Sequence, residues 1–388
     1  MLKIFLKPKK EEALRRKHPW IFSGAIRKIE GRPTDGDRVE VYSHQGRFLA
    51  LGHYHGGSIA VRIISFENVE LDQAFWNGRL NNAMQHRKGI GLPDESTDCF
   101  RLVHGEGDGL PGLVVDIYGV TAILQCHSIG MHLEQKYIAK AIQHALPSIS
   151  AIYDKSKSSL PERYAASIED RYIFGNANPT EVTEHGHRFF VDWESGQKTG
   201  FFLDQRNNRQ MLTKYVKGKK VLNAFCYSGG FSVYALRAGA SEVHSIDVSK
   251  KAMEWTDRNV QSNPSETPHT SITGNVLEYL KSSESYEVMV IDPPAFAKSI
   301  NKRHKAVQGY KRLNAMAMQK LTPGGILFTF SCSQVIDRQL FYNTIVAAAI
   351  EAGRNVRVMH HLSQPADHPV NIFHPEGSYL KGLVLRVE

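Results

Sequence analysis

Cysteine is scarce in this chain, with four residues in 388: Cys99, Cys126, Cys226 and Cys332. They form no CxxC pair and no zinc-ligand spacing, which argues against a disulfide framework and fits a reducing, cytoplasmic setting. The 18 histidines supply no HExxH or related spacing, so no metal is expected. His53 and His55 alternate as in a strand and read as surface or structural residues. Long apolar runs are missing too; none approaches the ~18 residues of a membrane-spanning helix, so no membrane partner is expected. The opening Met1-Leu2-Lys3-Ile4-Phe5-Leu6-Lys7 is too short and too charged for a secretory signal. Neither GxGxxG nor GxxxxGK[ST] occurs, so a nucleotide site here is not equipped for a pyrophosphate or a triphosphate.

What is present suits a globular protein of two or three domains. The chain is 41% hydrophobic, with 18 Phe, 15 Tyr and 4 Trp, enough large side chains for several cores. Lys and Arg outnumber Asp and Glu by 48 to 39, a net charge of +9. The excess is local. Residues 1–30 carry nine basic side chains, Lys9, Lys10, Arg15, Arg16 and Lys17 among them, against three acidic ones. Residues 293–312 carry six, including Lys298, Lys302, Arg303 and Lys305, with no acid. Two separated basic segments on a slightly acidic body suit two contacts along one extended anion, and two ordinary solvated faces are the alternative.

Periodicity divides the chain in three. Residues 1–68 hold short strands near 37–42, 48–52 and 59–64 with glycine turns, the pattern of a small β-barrel, and one helix candidate at 11–17 before Pro19. Residues 69–185 predict an α+β domain, with helices near 71–88 and 132–146 and strands near 113–118 and 121–125. Residues 186–388 alternate strands (221–225, 243–247, 288–292, 326–331, 356–359, 383–387) with helices (231–238, 250–261, 310–320, 340–352). That alternation predicts an α/β domain with a mostly parallel sheet.

Within the last region, Lys220 to Phe231 reads as an apolar strand, a Ser228-Gly229-Gly230 turn and a helix start. Glycines let a ligand approach the backbone, and the helix start offers unpaired N–H groups. Asp247, at the end of the next strand, suits the hydroxyls of an adenosine ribose. With the phosphate motifs absent, S-adenosylmethionine fits better than a dinucleotide; a plain strand-to-helix connection would also want these glycines. Asp292-Pro293-Pro294 ends a further strand, where open sheets place ligands. In base-amino methyltransferases an aromatic ring often follows such a Pro-Pro, but here Ala295 holds that place and Phe296 comes one later. Cys332 ends the following strand, expected to neighbour that of Asp292. A thiolate there can attack carbon 6 of a pyrimidine and make carbon 5 nucleophilic toward a sulfonium methyl. A buried structural cysteine is the alternative.

Taken together, these motifs resemble the RlmI-type family of S-adenosylmethionine-dependent large-subunit (23S) ribosomal RNA cytosine-5 methyltransferases. His18-Pro19-Trp20-Ile21-Phe22-Ser23-Gly24 is similar to its N-terminal PUA domain, and Phe100 to Gly112 to its central domain. Gly196-Gln197-Lys198-Thr199-Gly200-Phe201-Phe202-Leu203-Asp204-Gln205-Arg206 is the most specific stretch; Pro365 to Pro369 and Tyr379-Leu380-Lys381 also match. The resemblance implies a class I Rossmann-like methyltransferase domain behind an RNA-binding barrel, and ribosomal RNA as partner. It implies a homodimer as one possible assembly. Gln197, Lys198, Thr199, Phe201 and Arg206 would fold over cofactor and active site; the plain alternative is a hairpin and helix start with Asp204 as N-cap. Asn223, Phe225, Tyr227, Ser228 and Gly229 would line the cofactor, Asp247 would hold its ribose beside Val248, and Asn275-Val276 would meet its adenine. Asp292 would border the cofactor and hydrogen-bond the cytosine, and Cys332 would be the nucleophile. Ala295 replaces the second cysteine that many cytosine-5 RNA methyltransferases use in product release, so another base must take the carbon-5 proton. Asn275 stands where the family usually has Asp; its carbonyl can still accept from the adenine amino group, with slightly weaker cofactor binding expected. Two other functions stay open: methylation of guanine N7, which needs no nucleophilic cysteine, and an inactive RNA-binding assembly factor.

Overall fold

The computed structural model describes residues 2–297 and 299–388. It divides into two compact units: Met1–Thr180 with Val191–Phe201 and Ala366–Gly377, and Glu181–Phe190 with Phe202–Pro365 and Ser378–Glu388.

The first unit begins with β1 (Leu2–Leu6), α1 (Glu12–Arg15), β2 (Trp20–Phe22), β3 (Ile26–Glu30), β4 (Arg38–Tyr42), β5 (Phe48–Tyr54) and β6 (Ile59–Ser65). The strands form one sheet, ordered β2-β6-β5-β4-β1-β3. Period-two alternation in β4 buries Val39 and Val41, which join Ile4, Leu6, Leu14, Ala50, Val61 and Ile63 in one core. The three strands expected from sequence are present. β1, β2 and β3 join them through partners distant in sequence, β1 running parallel to β4.

A second sheet in the same unit comes from α2 (Gln73–Gly89), β7 (Cys99–His104), β8 (Leu113–Tyr118), β9 (Thr121–Cys126), α3 (Ile129–Leu133), α4 (Gln135–Ala145), β10 (Ala151–Asp154), α5 (Glu162–Ala165) and β11 (Arg171–Phe174), with strand order β11-β10-β9-β8-β7. Asp72 caps α2 by accepting from Phe75 N at 2.9 Å. The helix expected over 132–146 is two helices that meet at Glu134, whose carboxylate takes both prongs of Arg38 at 2.6 Å. Residues 1–68 and 69–180 thus lie in one compact unit with two sheets, and residues 181–185 belong to the other.

The second unit opens with a hairpin, β12 (Thr180–Glu184) and β13 (His187–Val191), followed by α6 (Arg206–Leu212). Then come β14 (Lys220–Ala224), α7 (Gly230–Arg237), β15 (Glu242–Asp247), α8 (Lys250–Ser262), β16 (His269–Thr273), α9 (Val276–Ser282) and β17 (Tyr286–Ile291). After these follow α10 (Arg303–Lys320), β18 (Leu321–Ser331), α11 (Arg338–Ala352), β19 (Val356–Leu362) and β20 (Lys381–Val387). The sheet order is β16-β15-β14-β17-β18-β20-β19, with β14 to β18 parallel and β20 antiparallel to both neighbours. Alternate residues feed two cores. Leu222, Ile246, Met289 and Ile291 pack with α9, α10 and α11; Val221, Val243, Val288 and Val290 pack with α6 and α7. From β14 the chain builds outward first to β15 and β16, then to β17 and β18 on the other side. The carboxyl ends of β14 and β17 therefore flank the reversal in strand order where open α/β sheets form their ligand crevice. The helix expected at 310–320 begins earlier, at Arg303, so Arg303 and Lys305 are helical.

Candidate active site

Five residues connect β14 to α7, and three of them take left-handed backbone: Phe225 (φ 61), Tyr227 (φ 48) and Gly229 (φ 74). Such conformations cost non-glycine residues about 1–3 kcal/mol and persist only where neighbours fix them. The neighbours are visible. Tyr227 N donates to Asp247 Oδ2 (3.1 Å), Thr256 Oγ1 to Tyr227 O (2.8 Å) and Asn259 Nδ2 to Ser228 O (2.8 Å). A Cβ on Gly229 would stand 2.8 Å from Thr256 Cγ2. Asp247 thus shapes the turn with one oxygen and accepts from Ser249 N with the other (2.9 Å), leaving lone pairs on both for a diol.

Two buried acceptor atoms at this turn have no hydrogen-bond partner among the described residues, Asn223 Oδ1 and Ser228 Oγ. Orphaned buried polar atoms are costly, and a ligand rich in donors would satisfy them. The Tyr227 ring stands edge-on to Phe202 (5.0 Å) and Trp255 (5.6 Å), an aromatic wall in which Trp255 carried no sequence signal. Val248 is exposed. Val276 is buried as the first residue of α9, and Asn275 caps that helix, its Oδ1 accepting from Leu277 N (2.9 Å) and Glu278 N (3.3 Å). The carbonyl expected to meet an adenine amino group is therefore engaged by the helix, because the first-turn N–H groups need an acceptor.

On the other side of the crevice, Ile291 pairs with Thr329, so Asp292 and Cys332 emerge together from β17 and β18. Gln205 Nε2 donates to Asp292 Oδ2 at 2.9 Å, and Asn208 Nδ2 donates to Gln205 Oε1 at 2.6 Å. Sequence reading gave neither a role; a short helix as polar as Gln205-Arg206-Asn207-Asn208-Arg209 must bury polar groups against partners, and that was the available signal. Phe296 packs on Tyr310 of α10 (centroids 4.5 Å apart). Cys332 is half-buried, whereas Cys99, Cys126 and Cys226 are buried; burial pushes the Cys126 and Cys226 thiols up.

Lys381, to which the family resemblance gives no role, starts β20 opposite Ser331. Its buried Nζ donates to Ser333 O (2.7 Å) and Tyr379 O (2.6 Å). Burial lowers it to about 8, against the raising influence of Cys332.

Arg206 is a core residue, its Nε 3.6 Å from the buried Glu184 carboxylate. This differs from the expected cofactor contact, and a buried guanidinium needs such a counter-charge. Arg209, one helical turn on, grips Glu184 at 2.8 and 2.7 Å. Gln197, Lys198, Thr199 and Phe201 belong to the first unit. There Thr199 Oγ1 donates to Asp116 Oδ2 (2.5 Å) and Phe201 N to Tyr118 OH (3.2 Å), so both are occupied in that unit's own core. Lys198 sits in left-handed backbone and is exposed. Asp204 is not the N-cap of α6; its Oδ2 accepts from Tyr379 OH at 2.6 Å.

Among the basic residues, Lys9, Lys10 and Arg16 are exposed, Arg15 pairs with Glu12 (3.1 Å) and Lys17 lies over the Phe66 ring (4.7 Å). Lys302, Arg303 and Lys305 are exposed at the N-terminus of α10, and Lys298 lies outside the described residues. Among the described residues no helix is long and apolar enough to cross a membrane.

A model of the PUA-like domain matches residues 4–66, and one described as S-adenosylmethionine-dependent methyltransferase matches residues 136–386. A protein of Aeromonas hydrophila named ribosomal RNA large subunit methyltransferase I is 39% identical, over 99% of this chain and 98% of its own. One of Enterobacter sp. with the same name is 38% identical, over 100% and 99%. A Streptococcus mutans structure described as an S-adenosylmethionine-dependent methyltransferase superposes with a TM-score of 0.85 at 22% identity, covering all of both chains. A methyltransferase structure solved in complex with SAH gives 0.86 at 22%, again covering both chains fully.

Proposed function

Since this chain belongs to the S-adenosylmethionine-dependent ribosomal RNA large subunit methyltransferase I family, we propose that it methylates carbon 5 of a cytidine in large-subunit ribosomal RNA through a Cys332 adduct at carbon 6. The observation that carries this reading is the pairing of β17 with β18, which delivers Asp292 and the one half-buried cysteine to the same end of the sheet. A methyltransferase acting on an exocyclic amine or on guanine N7 has a nucleophile in its substrate and no use for Cys332.

S-adenosylmethionine is the cofactor of the family and supplies an electrophilic methyl group when bound. The Phe225–Gly229 turn, Asp247 and the unpartnered Asn223 and Ser228 atoms would hold it. Asp292, oriented by Gln205, would hydrogen-bond the cytosine edge, fixing the ring so that carbon 6 meets Cys332. Attack by the thiolate forms the sulfur–carbon 6 bond and makes carbon 5 enamine-like.

RNA contact is supported by the PUA-like domain, with Lys9, Lys10 and Arg16 exposed on it, and by the start of α10. Lys302, Arg303 and Lys305 place three cations at the positive end of a helix dipole, an arrangement that costs ~0.3–1 kcal/mol per charge until an anion is bound. Phosphates flanking the target base would offset that cost.

The test is Cys332→Ala assayed on large-subunit RNA with nucleoside mass spectrometry. Loss of 5-methylcytidine with S-adenosylmethionine binding retained is expected; undiminished cytosine-5 methylation would refute the mechanism.

A further inference from the structure

The cytosine-5 reaction ends with removal of the carbon-5 proton, and Ala295 stands where a second cysteine would serve. We propose that Lys381 accepts this proton, a role that rests on the cytosine-5 reading above.

Position comes first. Lys381 pairs with Ser331 across β18 and β20, and its Nζ reaches Ser333 O, so the side chain spans the segment that carries Cys332. If the methyl group arrives on the face of the ring opposite the sulfur, the carbon-5 hydrogen is left on the sulfur's own face. Its acceptor must then lie beside Cys332.

Chemistry comes second. A neutral amine has two N–H bonds, and Ser333 O and Tyr379 O accept two hydrogen bonds from Nζ. The lone pair is then directed away from both carbonyls and is available to a proton. Burial brings this lysine to about 8, with Cys332 and Asp337 raising it and Arg338 lowering it, close to the pH at which a general base works best. The buried Tyr310 hydroxyl, which also feels Cys332 and Asp292, is pushed up to about 12, chiefly by burial, and would have to ionise first.

The step balances. The carbon-5–hydrogen bond breaks and its proton goes to Nζ. Its electron pair restores the carbon 5–carbon 6 double bond. The carbon 6–sulfur bond breaks, and sulfur leaves as the Cys332 thiolate next to the newly formed ammonium.

Lys381→Arg separates this role from a purely electrostatic one, because arginine keeps charge and donors but does not deprotonate. Transcribed large-subunit RNA would be supplied with cytidine or with 5-fluorocytidine, whose carbon–fluorine bond no base can deprotonate. Both wild type and Lys381→Arg should form a denaturation-stable adduct on the fluorinated RNA. On cytidine RNA only the variant should accumulate it, one methyl heavier, with release slowed about 10²–10⁴-fold. Release at the wild-type rate overturns the proposal. So does a variant that binds S-adenosylmethionine normally yet traps neither RNA, since Lys381 would then act before the adduct. If wild type itself fails to trap fluorinated RNA, the cytosine-5 reading falls instead. Should the variant not fold, the rate at which wild type releases methylated cytidine RNA in a single turnover, followed by rapid quench across pH, decides. A rise through a single ionisation near 8 is expected, and a flat profile from pH 6.5 to 9.5 overturns the assignment.

Discussion

Replacing Arg209 by methionine would strip the strongest partner from a carboxylate with no access to water. Glu184 is completely buried; it accepts from Arg209 at 2.8 and 2.7 Å and from Tyr234 OH at 2.9 Å, with Arg206 Nε at 3.6 Å. Breaking a buried pair by removing one member costs about 3–5 kcal/mol, because the other charge stays buried. Arg206 remains, so the lower end applies to Arg209→Met, about 3 kcal/mol. Glu184→Gln should cost more, since it leaves two buried guanidinium groups facing one neutral amide. For a unit of this size, 3 kcal/mol lowers the melting temperature by roughly 6–12 °C. The pH dependence is also fixed in sign. Burial would raise the Glu184 carboxyl, but Arg209, by charge and hydrogen bonds, and Arg206 hold it below its ordinary value. Its stabilisation is therefore present above the unfolded carboxyl range near 4.3 and is lost as pH falls through the lower folded value. Urea titrations of wild type and both variants between pH 7 and pH 3.5 measure all of this. The wild-type curve should steepen at the acid end, and Glu184→Gln should lack that component. Either variant losing under ~1 kcal/mol, or Glu184→Gln proving the milder of the two, would refute the account of this pair.

The cofactor turn and the basic helix offer two further tests. Gly229→Ala puts a methyl group 2.8 Å from Thr256 Cγ2 in left-handed backbone that itself costs about 1–2 kcal/mol. S-adenosylmethionine affinity by calorimetry should fall about tenfold with circular dichroism unchanged, and an unaltered Kd would show that the turn does not touch the cofactor. The triple replacement Lys302→Ala, Arg303→Ala and Lys305→Ala should make the slope of log K against log salt for RNA shallower by about two, at ~0.7 per phosphate contact. An unchanged slope would return these residues to ordinary surface.

How much of this was legible in the sequence depended on whether the cause was local. The β14–α7 turn was legible because an apolar run, small residues and an acid at the end of the next strand are all short-range signals. So were Asp292 and Cys332, since residues following strands of a parallel sheet fall at one end. β16 was not seen because His269-Thr270-Ser271-Ile272-Thr273 is a polar edge strand with no apolar alternation. The start of α10 was missed because Lys302 offers no capping side chain. The contacts of Arg206 and Thr199 were not legible for another reason: their partners, Glu184 and Asp116, lie far away in sequence, and a buried polar group's partner is recognisable only once the fold is known.

The strand order has a consequence for how the protein is made. β20 lies inside the sheet, between β18 and β19, although it follows both in the chain. Until residues 381–387 have left the ribosome, β18 and β19 present bare hydrogen-bonding edges where β20 will lie, and Lys381 is missing from beside Cys332. Folding of the first unit's two sheets can proceed during synthesis, but the sheet of the second cannot close until β20 arrives. A nascent chain stalled before residue 381 would therefore carry its PUA-like domain and an unfinished second-unit sheet.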